Sequence, residues 1–389
     1  MVKRIYLVII TAFLLFPVSV SASESSAVIS EDTLTSQAKA AYLMEAQTQK
    51  KIYAKKAEER MYPASMTKMM GLLLVYEQIN DGALKLDDRV CASETAASMG
   101  GSQIYLKVNE EMTVEDLLKS VCIASANDAM VALAEKVGGT HEQFVLMMNE
   151  KAKELKLCNT HFVNATGLHD DDHYSCAKDM ATIAAALIKE GGEELLSITS
   201  TYDSYIREDS DQKFWLVNTN KLIKQLDGVD GLKTGFTSEA GSCITVTAKR
   251  NGLRLIGVVM GEPDGKTRNQ EASQLIEYGF SGYESKQLYA KGDAVDELCC
   301  EKGTPVKTKL LALEDAYYVV KKGTDSKVKE KQLQLTDHEL PYQAGKECAR
   351  LKVTMDDGYT FEVSLGTAQD VQPASYVDLL IRSFRQMIA

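Results

Sequence analysis

Apolar and polar positions along the chain change texture several times, and each texture predicts a different element. From Ala41 to Lys55 two extended apolar runs surround a polar centre, which predicts a hairpin opening a domain. The segment Tyr62-Pro63-Ala64-Ser65-Met66-Thr67-Lys68 then runs into Met69 to Ile79, apolar on nearly every face, so a core helix is expected with Ser65 at its N-terminus. Between about Thr113 and Ile223 helical patterns dominate, such as Val114 to Val137 and Asp179 to Lys189, joined by polar stretches like His169 to Tyr174. After Gly231-Leu232-Lys233-Thr234-Gly235, the run Cys243 to Ala248 meets Asn251-Gly252 and then Leu253 to Met260. Asn-Gly between such runs is a strong hairpin signal and predicts adjacent antiparallel strands. Strands at both ends of a helical middle imply an α/β architecture, one antiparallel sheet with helices on its faces.

Past about Tyr289 the pattern shifts to short strands, Tyr317 to Lys321 and Leu351 to Met355, the latter turning at Asp357-Gly358 onto Tyr359 to Leu365. Their period of two is that of half-buried strands, so a small all-β domain follows the first. At the end, Tyr376 to Ala389 places Val377, Leu380, Ile381, Phe384 and Ile388 at helical spacing with Arg382 and Arg385 off that face. Two readings stay open: an amphipathic helix at a membrane surface, its cations on lipid head groups, or a terminal helix packed on the β domain.

The first residues, Met1-Val2-Lys3-Arg4, a nearly uncharged run from Ile5 to Val20, and the small residues Ser21-Ala22, read as a signal peptide. An uncleaved anchor is the rival, disfavoured by the short apolar run. The domain organisation is then 1–22 signal peptide, 23–283 first domain, 284–367 small β-rich domain, 368–389 C-terminal amphipathic helix, and the protein is expected to be exported, at the outer face of the cytoplasmic membrane or in the cell wall. Loss of Lys3 and Arg4 takes the formal charge from -11 to -13, with no basic stripe left for a phosphate backbone, so nucleic acid is not an expected partner. Eight cysteines in 389 residues are too sparse for a disulfide scaffold, and none has paired C-x-x-C spacing. Cys299, Cys300 and Cys348 are candidates for pairing after export, while Cys122, Cys158 and Cys243 read as buried apolar residues.

Three short motifs carry candidate chemistry. Ser-x-x-Lys is uninformative by spacing, since it recurs at Ser36/Lys39, Ser175/Lys178, Ser210/Lys213 and Ser326/Lys329, but only Ser65 and Lys68 open a long apolar helix, on one face of it. A neutral lysine there can take the serine proton. Ser125-Ala126-Asn127 is a polar island in an apolar stretch, alone as consistent with a helix cap as with function. In Lys233-Thr234-Gly235 the glycine permits close approach of a ligand, while lysine and threonine offer a cation and a hydroxyl to an anion. The histidines His161, His169 and His173 beside Asp170, Asp171 and Asp172 invite a metal reading, but the stretch lacks paired helical spacing and is expected to be a solvated loop near the site's rim. No metal and no cofactor are called for.

The order Ser65-x-x-Lys68, Ser125-x-Asn127, Lys233-Thr234-Gly235 is that of β-lactamases and penicillin-binding proteins. With Pro63-Ala-Ser-Met-Thr-Lys68, Gly100-Gly-Ser-Gln-Ile-Tyr-Leu106, His173-Tyr-Ser-Cys-Ala-Lys-Asp-Met180 and Val229-Asp-Gly-Leu-Lys-Thr-Gly-Phe-Thr237, the chain resembles low-molecular-mass penicillin-binding proteins, the serine D-alanyl-D-alanine carboxypeptidases, from about Ala40 to Phe280 and more loosely beyond. Ala126, where the family often has glycine, and Cys176, where it has threonine or serine, are departures. The resemblance implies a β-lactamase/transpeptidase-like domain followed by a small all-β domain, and an enzyme trimming the terminal D-alanine from peptidoglycan pentapeptide stems. It implies Ser65 as nucleophile, Lys68 as general base, Ser125 as proton relay, and Asn127 holding Lys68 and the substrate backbone. Lys233 would help keep Lys68 neutral. Lys233, Thr234, Gly235 and Arg268 would receive the substrate carboxylate, the backbone N–H groups of Ser65 and Phe236 would form the oxyanion hole, and β-lactams would acylate the site. A β-lactamase, a transpeptidase or an endopeptidase on the same site, or a non-catalytic wall-binding scaffold, are the alternatives. No glutamate is evident to activate a deacylating water as in class A β-lactamases.

Overall fold

The computed structural model describes residues 34–208 and 210–388, so the leader read at 1–22 lies outside the described residues. Five strands form the main sheet: β1 (Ala40–Glu45), β2 (Lys51–Lys55), β3 (Val229–Thr237), β4 (Gly241–Arg250) and β5 (Leu253–Glu262). Their order is β2-β1-β5-β4-β3, with every neighbour antiparallel. The expected hairpins are present, and the turn of β4 onto β5 uses left-handed Asn251 (φ 49°) and Gly252 (φ 80°), which suits the twist of paired strands.

Both faces of this sheet are covered. Ile256, Val258 and Met260 of β5 enter a core shared with the helices, while Leu253, Leu255 and Val259 enter a second core under the helix that follows β5. Two-sided burial is why these strands read as continuous apolar runs rather than clean alternation. The helical layer comprises α1 (Lys68–Asn80), α2 (Val114–Ala124), α3 (Asn127–Gly138), α4 (His141–Glu154) and α5 (Ala177–Ser200), with α6 (Gly265–Gly282) on the other face. Helix α1 is buried from Lys68 to Tyr76, as its all-round apolar surface requires.

The stretch 114–137 is not one helix. Ser125 adopts left-handed backbone (φ 63°, ψ 29°), ending α2, and α3 restarts at Asn127. Apolar periodicity carries across the break because both helices face the same core, so the interruption leaves little trace in the pattern.

The second region begins as α6 ends at Gly282. It contains β6 (Tyr283–Tyr289), β7 (Ala294–Cys299), β8 (Lys307–Ala312), β9 (Ala316–Lys321), β10 (Val328–Leu335), β11 (Glu347–Met355) and β12 (Thr360–Thr367), arranged as a sheet of order β7-β8-β12-β11-β10 and a β6-β9 pair. The β1–β2 turn docks on this region through Lys50, which meets Asp357 Oδ2 at 2.7 Å and Val319 O at 3.1 Å, through Gln47 Nε2 to Asp315 O at 2.7 Å, and through the Tyr359 hydroxyl on Thr48 O.

Two expectations at the C-terminus change. Gln372–Pro373 pairs with Gly303–Thr304, so the final helix starts only at Tyr376 and runs to Ile388. Its Arg382 points home rather than outward, donating to Glu301 O at 2.8 Å, Gly303 O at 2.9 Å and Thr304 Oγ1 at 3.0 Å. The apolar face, with Val377, Leu380, Ile381 and Phe384, stays exposed instead of packing on the β domain. No helix among the described residues is long and apolar enough to cross a membrane. The cysteines are all free thiols, Cys299 and Cys300 included; Cys122 and Cys243 are buried as expected, whereas Cys158 is exposed.

Candidate active site

Ser65 sits not in the helix proper but on a 3-10 turn, Ala64–Thr67, that leads into α1. Ala64 carries φ 48°, an uncommon backbone for a residue with a Cβ, so the turn is held by its surroundings. Two glycines do the holding. A Cβ on Gly167 (φ 82°) would stand 1.9 Å from the Ala64 carbonyl oxygen, and one on Gly235 would stand 2.9 Å from Pro63 O and 3.2 Å from Ser65 N. The glycine of the Lys-Thr-Gly motif, read in the sequence as room for a ligand, instead lets β3 lie directly against the serine turn.

Lys68 is fully buried, and its Nζ lies 2.8 Å from Ser65 Oγ and 2.8 Å from Thr166 O. Burial, then the neighbouring Lys233 cation, hold the Lys68 ammonium well below the usual lysine range, against a weaker opposite pull from Asp128. Repulsion by Lys233, expected to keep Lys68 neutral, is thus present but second to desolvation. Lys233 is itself fully buried and donates to Ser125 Oγ at 2.8 Å and to Thr234 O at 3.1 Å. Burial brings it down to about 7; Cys122 opposes this and Arg268 adds to it. Serines 65 and 125 thus each receive a hydrogen bond from a buried lysine.

Asn127 departs from its expected role. Its Nδ2 donates to Gly100 O at 2.6 Å, its Oδ1 is buried without a hydrogen-bond partner, and Lys68 is held by Thr166 instead. An unpaired buried carbonyl is costly. Thr234 Oγ1 donates to Thr219 Oγ1 at 2.7 Å, adding a second hydroxyl at that end of the cleft. Arg268 is nine-tenths buried and donates to Asn269 Oδ1 at 2.9 and 3.1 Å. It lines a cavity of about 570 Å3 with Lys221 and Lys266, and acts on Lys233 electrostatically. Phe236, next to Gly235 on β3, is 67 % exposed.

Several supports were missed in the sequence. Asp128, fully buried, accepts from Ile104 N at 3.0 Å and Leu106 N at 3.1 Å, fixing the loop whose Gly100 carbonyl holds Asn127. Asn164 Oδ1 gathers the N–H groups of Thr166, Gly167 and Leu168 at 3.1, 2.7 and 3.2 Å, shaping the turn that presents Thr166 O to Lys68. An Asn-x-x-Gly turn could have flagged it; nothing flagged Asp128, since an acid in a first helical turn reads as a dipole partner.

The histidines separate. His161 is exposed with Nδ1 at 2.6 Å from Asp172 O, and His169 Nε2 lies 3.7 Å from Asp171 Oδ1, both consistent with a loop at the rim. His173 is instead buried: its Nδ1 accepts from Val163 N at 3.1 Å, leaving Nε2–H to donate to Thr67 Oγ1 at 2.8 Å. Burial pushes it down to about 4, against Asp170. A histidine held neutral in the fold but basic when unfolded contributes stability above its ordinary value near 6.5 that is lost as pH falls towards 4, here about 3 kcal/mol by linkage. Urea unfolding at pH 7 and pH 4.5 is expected to show a loss that is smaller in His173→Gln; an equal loss in both proteins would refute this role.

The site's likeness to known proteins is extensive. Residues 26–264 match the family model for D-alanyl-D-alanine carboxypeptidase, peptidase S11, and residues 283–373 match that for the penicillin-binding protein 5 C-terminal domain. The chain is 44% identical over 351 residues, 90% of each protein, to the D-alanyl-D-alanine carboxypeptidase DacF of Bacillus subtilis (strain 168). It is 34% identical over 325 residues to DacA of Haemophilus influenzae, covering 82% of this chain and 81% of that protein. Among solved structures, penicillin-binding protein 5 from Haemophilus influenzae superposes with a TM-score of 0.68 at 32% identity, covering 86% of this chain and 98% of that one.

Proposed function

We propose, for a chain that belongs to the S11 family of D-alanyl-D-alanine carboxypeptidases and is a low-molecular-mass penicillin-binding protein, that Ser65 carries the acyl-enzyme and Lys68 generates its nucleophile. The observation that carries this is a buried amine held below the usual lysine range, with Nζ 2.8 Å from Ser65 Oγ.

On this reading Ser65 Oγ attacks the carbonyl between the two D-alanines as its proton passes to neutral Lys68. The N–H groups of Ser65 and Phe236 receive the oxyanion, brought together by the Gly235 contact. The C–N bond then breaks. Ser125, hydrogen-bonded to Lys233, relays the proton taken up by Lys68 to the departing D-alanine amine, which returns Lys68 to its neutral form. Lys233, Thr234 and Thr219 receive the terminal carboxylate, with Arg268 adding positive charge behind them, and Asn127 Oδ1 accepts a stem N–H. Water, activated by Lys68, releases the shortened stem from the Ser65 ester. The protein works outside the cytoplasm after removal of residues 1–22, and the exposed apolar face of the C-terminal helix rests on the membrane surface.

The test is release of D-alanine from diacetyl-L-lysyl-D-alanyl-D-alanine by the purified mature protein. Release that prior penicillin abolishes is expected; covalent penicillin binding without any release would move the assignment to a transpeptidase or endopeptidase.

A further inference from the structure

Glu262 ends β5, and Glu271 stands on the following helix, α6. Both are almost completely buried, at 1 % and 4 % exposure. Lys39 N donates to Met260 O at 2.9 Å and Ala40 pairs with Met260, so the segment before β1 runs alongside the end of β5. Glu271 holds that same segment: Oε1 accepts from Ser36 Oγ at 3.1 Å and Gln37 N at 2.8 Å, and Oε2 from Ala38 N at 3.0 Å. Lys55 of β2 donates to the carbonyls of Thr35 and Ser36, and Leu34 and Ala38 enter the core under α6 with Ala272 and Leu275. Residues 34–39 thus form a strap against the helix, with one carboxylate taking three of its donors.

Glu262 stands in the opposite condition. No N–H or hydroxyl among the described residues reaches either of its oxygens, and its polar contact is the carboxyl group of Glu271. Two carboxyl groups hydrogen-bond only while one of them keeps its proton. Glu271 is the charged member: burial opposes its ionisation, but the hydrogen bonds from Glu262, Gln37, Ala38 and Ser36 hold it below the usual carboxylate range. Glu262 is the acid: burial, then Glu271, push it up to about 8, with Lys55 pulling the other way and Asp264 adding to the rise. The other charged or titratable groups around the pair are Arg268 on α6, Cys243 on β4, and Lys39 of the strap, packed over Gly261.

We propose that the Glu262 carboxylic acid and the Glu271 carboxylate form a proton-dependent latch that holds the 34–39 strap on α6. While Glu262 keeps its proton it donates to Glu271, and Glu271 keeps the strap. Loss of that proton sets two negative charges against each other in the core, and the strap leaves the helix, which opens Glu262 to water. A carboxyl that binds its proton more tightly latched than released favours the latched state at low pH. That preference is lost as pH rises from the ordinary value of 4.5 to about 8, with one proton released per opening, so opening gains about tenfold per pH unit across the window.

Native-state hydrogen exchange tests this at the Gln37 and Ala38 amides, the two that donate to Glu271, read as protection factors so that the intrinsic pH dependence of exchange cancels. In the purified protein their protection is expected to fall about tenfold per unit between about pH 6 and 8. In Glu262→Gln, whose amide donates to Glu271 without a proton to lose, protection is expected to stay level across that range. Glu262→Ala serves as a second variant: it leaves Glu271 charged and unpaired by any acid, so protection is expected to be lower at pH 6 and again level. Level protection in the unmodified protein, or an equal fall in all three proteins, overturns the latch.

Discussion

Ser65→Ala is expected to lower D-alanine release by about a thousandfold or more, because the remaining binding and oxyanion groups have no covalent route to assist. The change removes one hydroxyl at a partly exposed turn. Lys68 keeps its Thr166 carbonyl, and Gly167 and Gly235 still clamp Ala64, so the fold is expected to survive. Thermal unfolding alongside turnover separates the cases: an inactive, folded variant supports the assignment, and substantial residual activity refutes it.

Lys68→Met is expected to have nearly as large an effect for a different reason. Methionine fills the volume of the lysine stem inside the core but cannot accept a proton, so acylation should slow by about 10²- to 10⁴-fold, the range for losing a general base. Thr166 O loses its donor, a cost of about 1–3 kcal/mol if no water replaces it. The same argument sets a pH sense: with its proton affinity depressed by burial and by Lys233, Lys68 holds its proton less tightly than an ordinary lysine, and acylation declines as acid charges it. Penicillin acylation rates for the two proteins across pH check both points. An acylation rate like that of the unmodified enzyme would remove Lys68 from the base role.

How much of this was legible in the sequence depends on whether a feature is local. The β1–β2 and β4–β5 hairpins and buried α1 follow from period and turn chemistry. The motif order joins Ser65, Ser125 and Lys233, residues far apart in sequence that the fold brings to one cleft. The left-handed break at Ser125 was hidden because α2 and α3 share one core. Thr219, Asp128 and Thr166 were hidden because their roles come from tertiary partners: a hydroxyl pair, backbone N–H groups over twenty residues away, and a carbonyl that every residue possesses. His173 misled in the opposite direction, since its acidic neighbours suggest solvent while its ring props Thr67 from within. Asn127 was expected on Lys68, but the Gly100 carbonyl claims its amide.

The acyl-enzyme on Ser65 is most directly tested by treating the mature protein and Ser65→Ala with benzylpenicillin, measuring intact mass, and mapping the modified peptide. One penicilloyl group on the peptide containing Ser65, with none on the folded variant, is the expected result. An adduct mapped to another residue, or equal labelling of the variant, would contradict it.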